Sequence, residues 1–149
     1  IAGSGPLGDE LLQLSESLAL NTTEVQFLGA MPHTDVSAFI KSLDIFVLPC
    51  KQDSNGDMDG VPVVLMEAML SGVPVISTEL SGIPELVINQ QTGLLVKPND
   101  EGGLVAAITQ MLSNASLKAT MQQQAITKVN EEFSLLGNAE KLKKLFKAE

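Results

Sequence analysis

The chain has no arginine, tryptophan or tyrosine, and only one cysteine and one histidine in 149 residues. Each absence closes off a class of chemistry. Without arginine, bidentate guanidinium recognition of phosphate is excluded for this polypeptide. The single Cys50 rules out an internal disulfide framework and fits a reducing, cytoplasmic setting. Cys50 and His33 are too few for a Cys/His metal site. Aromatic stacking falls to five phenylalanines, most of them in apolar settings. Positive charge is also scarce, since nine lysines stand against 18 carboxylates for a net charge of −9. Phosphate backbones are held by lysine and arginine, so no nucleic-acid partner is expected. No apolar run approaches the roughly 20 residues that a membrane-spanning helix needs.

What is present is a well-patterned globular sequence. Hydrophobic residues make up 44% of the chain, and its length suits a domain with a real core. Ile1-Ala2 before Gly3-Ser4-Gly5-Pro6 reads as the end of a strand and its turn, which predicts an N-terminal truncation. Leucines 7, 11, 12, 14 and 18 recur near a helical period between Leu7 and Ala19. Residues 24–28 alternate like a strand, and 35–43 read as a short helix capped by Thr34 or His33. The run Ile45-Phe46-Val47-Leu48 before Pro49 has the pattern of a strand buried on both faces. A helix is predicted over about 62–71, with Pro62 at its first position, where a missing N–H costs nothing. Residues 75–77 and 93–96 follow as strands, separated by a short helix opening at Gly82-Ile83-Pro84-Glu85. From Asp100 onward the chain reads as helical, broken near Ser113-Asn114 and Phe133-Ser134. Strands alternating with helices predict an α/β fold: a Rossmann-like, open, mostly parallel sheet with helices on both faces.

The most informative stretch runs from Asp59 to Met69. It sets one carboxylate in a Gly-containing loop and a second, Glu67, eight positions later in a helix that is otherwise apolar. A helix hydrophobic all round is expected to be buried. A glutamate is seldom buried without a partner, so Glu67 is expected to face a cleft or a ligand, or else to accept bonds from neighbouring backbone N–H groups. In open α/β sheets ligands bind beyond the carboxyl ends of the strands. Four loops are predicted to gather there: 3–6, 29–33, 50–60 and 78–82. Their glycines and the following helix N-termini suit an anionic ligand such as a diphosphate.

The blocks Gly3-Ser-Gly-Pro6, Phe27-Leu-Gly29, Ile45 to Pro49, Asp59 to Met69, Gly72 to Ile76, Ser81 to Glu85 and Gly93 to Pro98 occur in a specific order and spacing. In that order the sequence resembles the C-terminal domain of the group-one (family four) retaining glycosyltransferases. These enzymes have the GT-B fold, two Rossmann-like domains facing each other across a cleft. The resemblance implies a truncated donor-binding domain over residues 1–132 and a closing helix over 133–149 that crosses towards a missing N-terminal domain. It implies transfer of a hexose from a nucleoside-diphosphate sugar to a hydroxyl acceptor, with retention. It also implies no cofactor and no metal, and a fragment that is inactive alone.

The family's two acids, separated by seven residues, correspond to Asp59 and Glu67. By resemblance, Asp59 contacts donor-sugar hydroxyls near the anomeric carbon and helps stabilise developing positive charge. Glu67 accepts hydrogen bonds from the ribose hydroxyls. The N–H groups of Gly60, Val61, Val63 and Val64 face the sugar and diphosphate, the backbone at Met31 contacts the base, and Gly3 and Gly5 let the ligand pack against the first turn. The first acid is Asp rather than the more usual Glu, one methylene shorter. The family's phosphate-binding Arg and Lys would precede Ile1.

Other features admit plainer readings. Asp57-Met58-Asp59 spells a D-x-D metal pattern, but in a Gly-rich loop entering a helix. Asp53 does not open a calcium loop, since the twelfth residue from it is Val64. His33 suits a helix cap, and Cys50 a packed thiol. The lysines near the C-terminus read as a solvated helical face or as a patch for peripheral association of the parent with an anionic membrane. Apolar surface exposed by truncation is expected to drive self-association. Two rivals remain open: a nucleotide-sugar epimerase of the same fold, and a non-catalytic nucleotide-binding or interaction module.

Overall fold

The computed structural model describes residues 1–53, 56, 58 and 60–146, without the side chain of Leu136. The chain divides into two compact units, Ile1–Ala38 and Phe39–Glu149.

In the first unit, Ile1–Gly3 runs parallel to Leu28–Gly29. The Leu28 N–H donates to the Ile1 carbonyl and the Gly3 N–H to the Gly29 carbonyl, both at 2.8 Å. Ala2 and Gly29 form a single parallel bridge. The strand expected over 24–28 is therefore reduced to a bridge at its end. The cause lies upstream: the Glu24 and Val25 N–H groups both bond the Asn21 carbonyl, in a turn that Glu24 closes by accepting from the Asn21 backbone and side chain. Helix α1 spans Gly8–Ser17 and buries none of its residues. Its leucines at 11, 12 and 14 and the flanking Leu7 and Leu18 are all exposed. Helix α2 spans His33–Lys41, its residues from Phe39 onward being counted with the second unit. It begins two residues before the expected start because the Asp35 N–H already finds the Pro32 carbonyl at 2.9 Å. His33 and Thr34 thus lie inside the helix rather than capping it, and the Thr34 hydroxyl bonds the Asp35 carboxylate instead.

The second unit carries an open parallel sheet of three strands: β1 (Phe46–Leu48), β2 (Val75–Thr78) and β3 (Leu94–Val96), in that spatial order. Phe46 pairs with Val75, and Ile76 with Leu94. Helix α3 (Val63–Leu70) links β1 to β2, and the short α4 (Ile83–Leu86) links β2 to β3. Helices α5 (Glu101–Ser113), α6 (Ala115–Glu132) and α7 (Leu135–Leu145) follow. All four residues of β2 are buried, so both faces of the central strand are covered. The three residues of β1 are only half-buried. That corrects the expectation of a strand buried on both faces, because β1 lies at one end of this sheet's strand order.

The core joins Ile76 and Leu94 to Ala107 and Met111 of α5 and Met121 of α6. The helical breaks seen in the sequence are caps. The Asp100, Asn114 and Ser134 side chains accept from the N–H groups of Gly103, Leu117 and Gly137 and so start α5, α6 and α7. At the other end of α3, Gly72 adopts φ +70°. The Gly72 N–H bonds the Met69 carbonyl and the Val73 N–H bonds the Ala68 carbonyl, a Schellman turn that only glycine enters without strain. The Gly72 carbonyl then accepts from Gln122 Nε2 of α6 at 2.5 Å. No helix among the described residues is long and apolar enough to cross a membrane.

Gly93 sits against β2. A Cβ there would lie 2.8 Å from the Val75 carbonyl oxygen and 2.7 Å from Val75 Cγ2. Backbone cannot yield as a flexible side chain can, so Gly93→Ala is expected to cost about 1–3 kcal/mol in urea unfolding. An unchanged midpoint and slope would refute that packing. Ser77→Ala, which removes the buried hydroxyl bonded to the Leu48 carbonyl, is expected to cost about 1 kcal/mol in the same assay.

Candidate functional site

The carboxyl ends of the three strands are tied together by side chains as well as by the ladder. At the last β1–β2 pair the Ser77 hydroxyl donates to the Leu48 carbonyl at 2.7 Å, and beyond it the Thr78 hydroxyl donates to the Cys50 carbonyl at 2.6 Å. On the other side, the Glu79 N–H reaches the Val96 carbonyl at 2.8 Å. The chain leaving β2 then folds tightly. The Leu80 N–H turns back to Thr78, Ser81 takes φ +51°, and the Ile83 N–H bonds the Leu80 carbonyl.

That turn carries Gly82 against the entry to α3. A Cβ on Gly82 would lie 2.7 Å from Val61 Cγ2 and 3.4 Å from the Gly60 carbonyl oxygen. The loop after β2 and the segment Gly60-Val61 are thus in direct contact. Pro62 follows in extended conformation (φ −63°, ψ 122°) and is the N-cap of α3, so the helix begins at Val63, one position after the expected start at Pro62. Its ψ lies in the β region, and its ring offers no capping oxygen. Val63 and Val64 occupy the helix's first turn, where N–H groups have no intrahelical acceptors and the dipole is positive.

Helix α3 is not buried all round, contrary to the expectation from its composition. Leu65, Ala68 and Met69 are fully buried, while Val63 is 65% and Leu70 47% exposed. Glu67 lies four residues from Val63 and three from Leu70, on this outward stripe, and is half-buried. Its carboxylate takes no hydrogen bond and no ion pair from any described residue. The alternative in which Glu67 merely fixes a neighbouring loop is not what the described residues show.

The remaining sequence-derived residues fall as follows. Gly3 (φ +132°), Gly5 and Met31 belong to the first unit; the two glycines are exposed and open where a Cβ would stand, and Met31 is half-buried. Gly60, Val61, Val63, Val64 and Glu67 belong to the second. Asp59, and with it Asp57 of the D-x-D pattern, lies outside the described residues. Asp53 and His33 are exposed, and Cys50 is half-buried. Sequence reasoning gave the segment after β3 no part in the site. Residues Lys97, Asn99 and Asp100 nevertheless line a cavity of about 200 Å³ together with Lys51 and Thr78. The one sequence signal for it was a polar turn directly after a buried strand.

This geometry has known counterparts. Residues 1–128 match the family described as glycosyl transferases group 1. The amylovoran biosynthesis glycosyltransferase AmsK of Erwinia amylovora is 36% identical over 129 residues, covering 85% of this chain and 32% of that protein. The GDP-mannose-dependent monoacylated alpha-(1-6)-phosphatidylinositol monomannoside mannosyltransferase of Corynebacterium glutamicum is 31% identical, covering 100% of this chain and 38% of that protein. The chain thus spans about a third of the length of the curated relatives it matches. Among solved structures, Anabaena Alr3699/HepE in complex with UDP-glucose superposes with a TM-score of 0.83 at 22% identity, covering 99% of this chain and 40% of that one. At that identity the likeness speaks to fold, and the fold shared with these neighbours is that of the GT-B glycosyltransferases. The family match over residues 1–128, with relatives above 30% identity, establishes that this chain belongs to the group 1 glycosyltransferases.

Proposed function

We propose that this chain is the donor-binding domain of a retaining glycosyltransferase. The whole enzyme moves a hexose from a nucleoside-diphosphate sugar to a hydroxyl acceptor on a glycan, lipid or small molecule. The observation that carries the reading is Glu67, a carboxylate with no partner among the described residues, on the outward stripe of an otherwise apolar helix. A carboxylate is acceptor-only, so paired ribose hydroxyls match it. The uncapped first turn of α3 and the adjoining Gly60-Val61 suit the diphosphate. Hexose as the sugar class is supported by the relatives, one of which is named for GDP-mannose and one solved with UDP-glucose. Asp59 is proposed to orient the donor sugar beside its anomeric carbon. Met31, Gly3 and Gly5 are proposed to contact the base and diphosphate. The reaction proposed needs no metal, and an N-terminal domain of the parent completes the acceptor side, so this chain alone does not turn over.

Two further partners belong to this reading. A second copy of the chain is proposed to cover the leucine face of α1. An anionic membrane surface is proposed to meet Lys141, Lys143 and Lys144 of α7 in the parent enzyme.

Calorimetric titration with UDP, GDP and ADP is expected to show binding selective for one base. Glu67→Ala is expected to weaken that binding about 10- to 100-fold, as loss of charged hydrogen bonds predicts. Equal nucleotide affinity in the two proteins would sink the ribose assignment. In the full-length parent, Asp59→Ala is expected to abolish transfer while leaving nucleotide affinity within about twofold; a matching loss of both would place Asp59 on the nucleotide instead. Light scattering is expected to report oligomers that Leu14→Glu returns to monomers, and a monomeric starting protein would refute the α1 contact.

A further inference from the structure

Six described lysines lie on helices: Lys41, Lys118, Lys128, Lys141, Lys143 and Lys144. The two described lysines in loops, Lys51 and Lys97, line one cavity. Lys51 stands three residues beyond β1, and Lys97 directly follows β3. Thr78, the last residue of the strand between them, lines the same space, as do Asn99, Asp100 and Glu101. The convergence follows from topology: in a parallel sheet all three strands deliver their following residues to one edge.

The charges in this lining are not equivalent. The Asp100 carboxylate accepts from the Gly103 N–H at 2.8 Å and caps α5. Glu101 occupies the first turn of α5, where the helix dipole favours an acid. Both carboxylates therefore have a role within the helix. Neither lysine has one. Among the described residues the ion pair present is Lys128–Glu132, and no described residue bonds the ammonium of Lys51 or Lys97. In a chain of net charge −9 without arginine, two ammonium groups with no described partner meet at one cavity, where the two carboxylates are turned to the start of α5.

We propose that Lys51 and Lys97 form a phosphoryl-binding subsite at the carboxyl ends of β1 and β3. The cavity of about 200 Å³ admits a phosphate or diphosphate group rather than a whole nucleotide. The Asn99 amide can donate to a phosphoryl oxygen, while the Thr78 hydroxyl is committed to the Cys50 carbonyl and only shapes the wall. The phosphoryl group has two sources, the donor's own diphosphate or a phosphate borne by the acceptor. That choice rests on the donor-domain reading above; the subsite itself does not.

The test is titration of the isotopically labelled chain with inorganic pyrophosphate, followed by amide shifts at Thr78, Lys97 and Asn99. Saturable shifts are expected, and Lys51→Gln/Lys97→Gln is expected to weaken them about tenfold. Lys41→Gln/Lys118→Gln changes net charge equally and is expected to leave them unaltered. Salt of roughly 1 M, where screening acts over about 3 Å, is expected to weaken binding in the unaltered chain. No saturable shift in the unaltered chain, or equal losses in both double variants, would overturn the proposal. UDP and GDP separate the sources. Competition with pyrophosphate, and loss of nucleotide affinity in the Lys51/Lys97 variant, support the donor's diphosphate. Simultaneous binding supports an acceptor phosphate. Should Glu67→Ala leave nucleotide affinity intact while the lysine variant still loses pyrophosphate, the ribose assignment fails and the subsite stands.

Discussion

The second unit depends on how the seam between β1 and β2 is closed. The backbone ladder runs out at Leu48 and Ser77, and two hydroxyls continue it, Ser77 to the Leu48 carbonyl and Thr78 to the Cys50 carbonyl. Both donors belong to a strand that is buried throughout, where an unpaired hydroxyl would be costly. They hold the chain after β1 against the sheet until Cys50, so the long loop departs from a fixed point. The Glu79 N–H does the same for β3 through the Val96 carbonyl. Those few bonds fix where the chain leaves β1, β2 and β3 at this edge.

Much of this was legible beforehand because the signals were local. The alternation of apolar runs with Gly and Pro punctuation marked the three strands and the helices between them. Asp100, Asn114 and Ser134 are capping residues whose effect reaches only three positions, and the helix starts fell where they stand. What composition misjudged was burial, a non-local property. The apolar content of α3 suggested a buried rod, yet Val63 and Leu70 face outward. The segment 24–28 has strand periodicity, yet its first N–H groups are taken by Asn21. Residue type reports what a segment tolerates, and neighbours decide which option is used.

The candidate site was legible in the same uneven way. The spacing of Asp59 and Glu67 was visible in the sequence, and α3 carries Glu67 as a carboxylate without a described partner. The contact of Gly82 with Gly60 and Val61 joins residues more than 20 positions apart and left no local mark. Nor could spacing reveal that Lys51 and Lys97 share a cavity. Only the parallel order of β1, β2 and β3 brings them together.

The Schellman turn at Gly72 has a mechanical consequence. Helix α3 is anchored at one end, where Gly72 and Val73 fold back on it and Gln122 grips the Gly72 carbonyl. At the other end Pro62 supplies no side-chain cap, and the segment before it, Gly60-Val61, lies against Gly82. Such a helix is held like a cantilever, with its bonded end as the root. The root end of α3 is thus tied into the core through Ala68, Met69 and α6, while Gly60–Val64 at the tip keeps its first-turn N–H groups at the sheet edge.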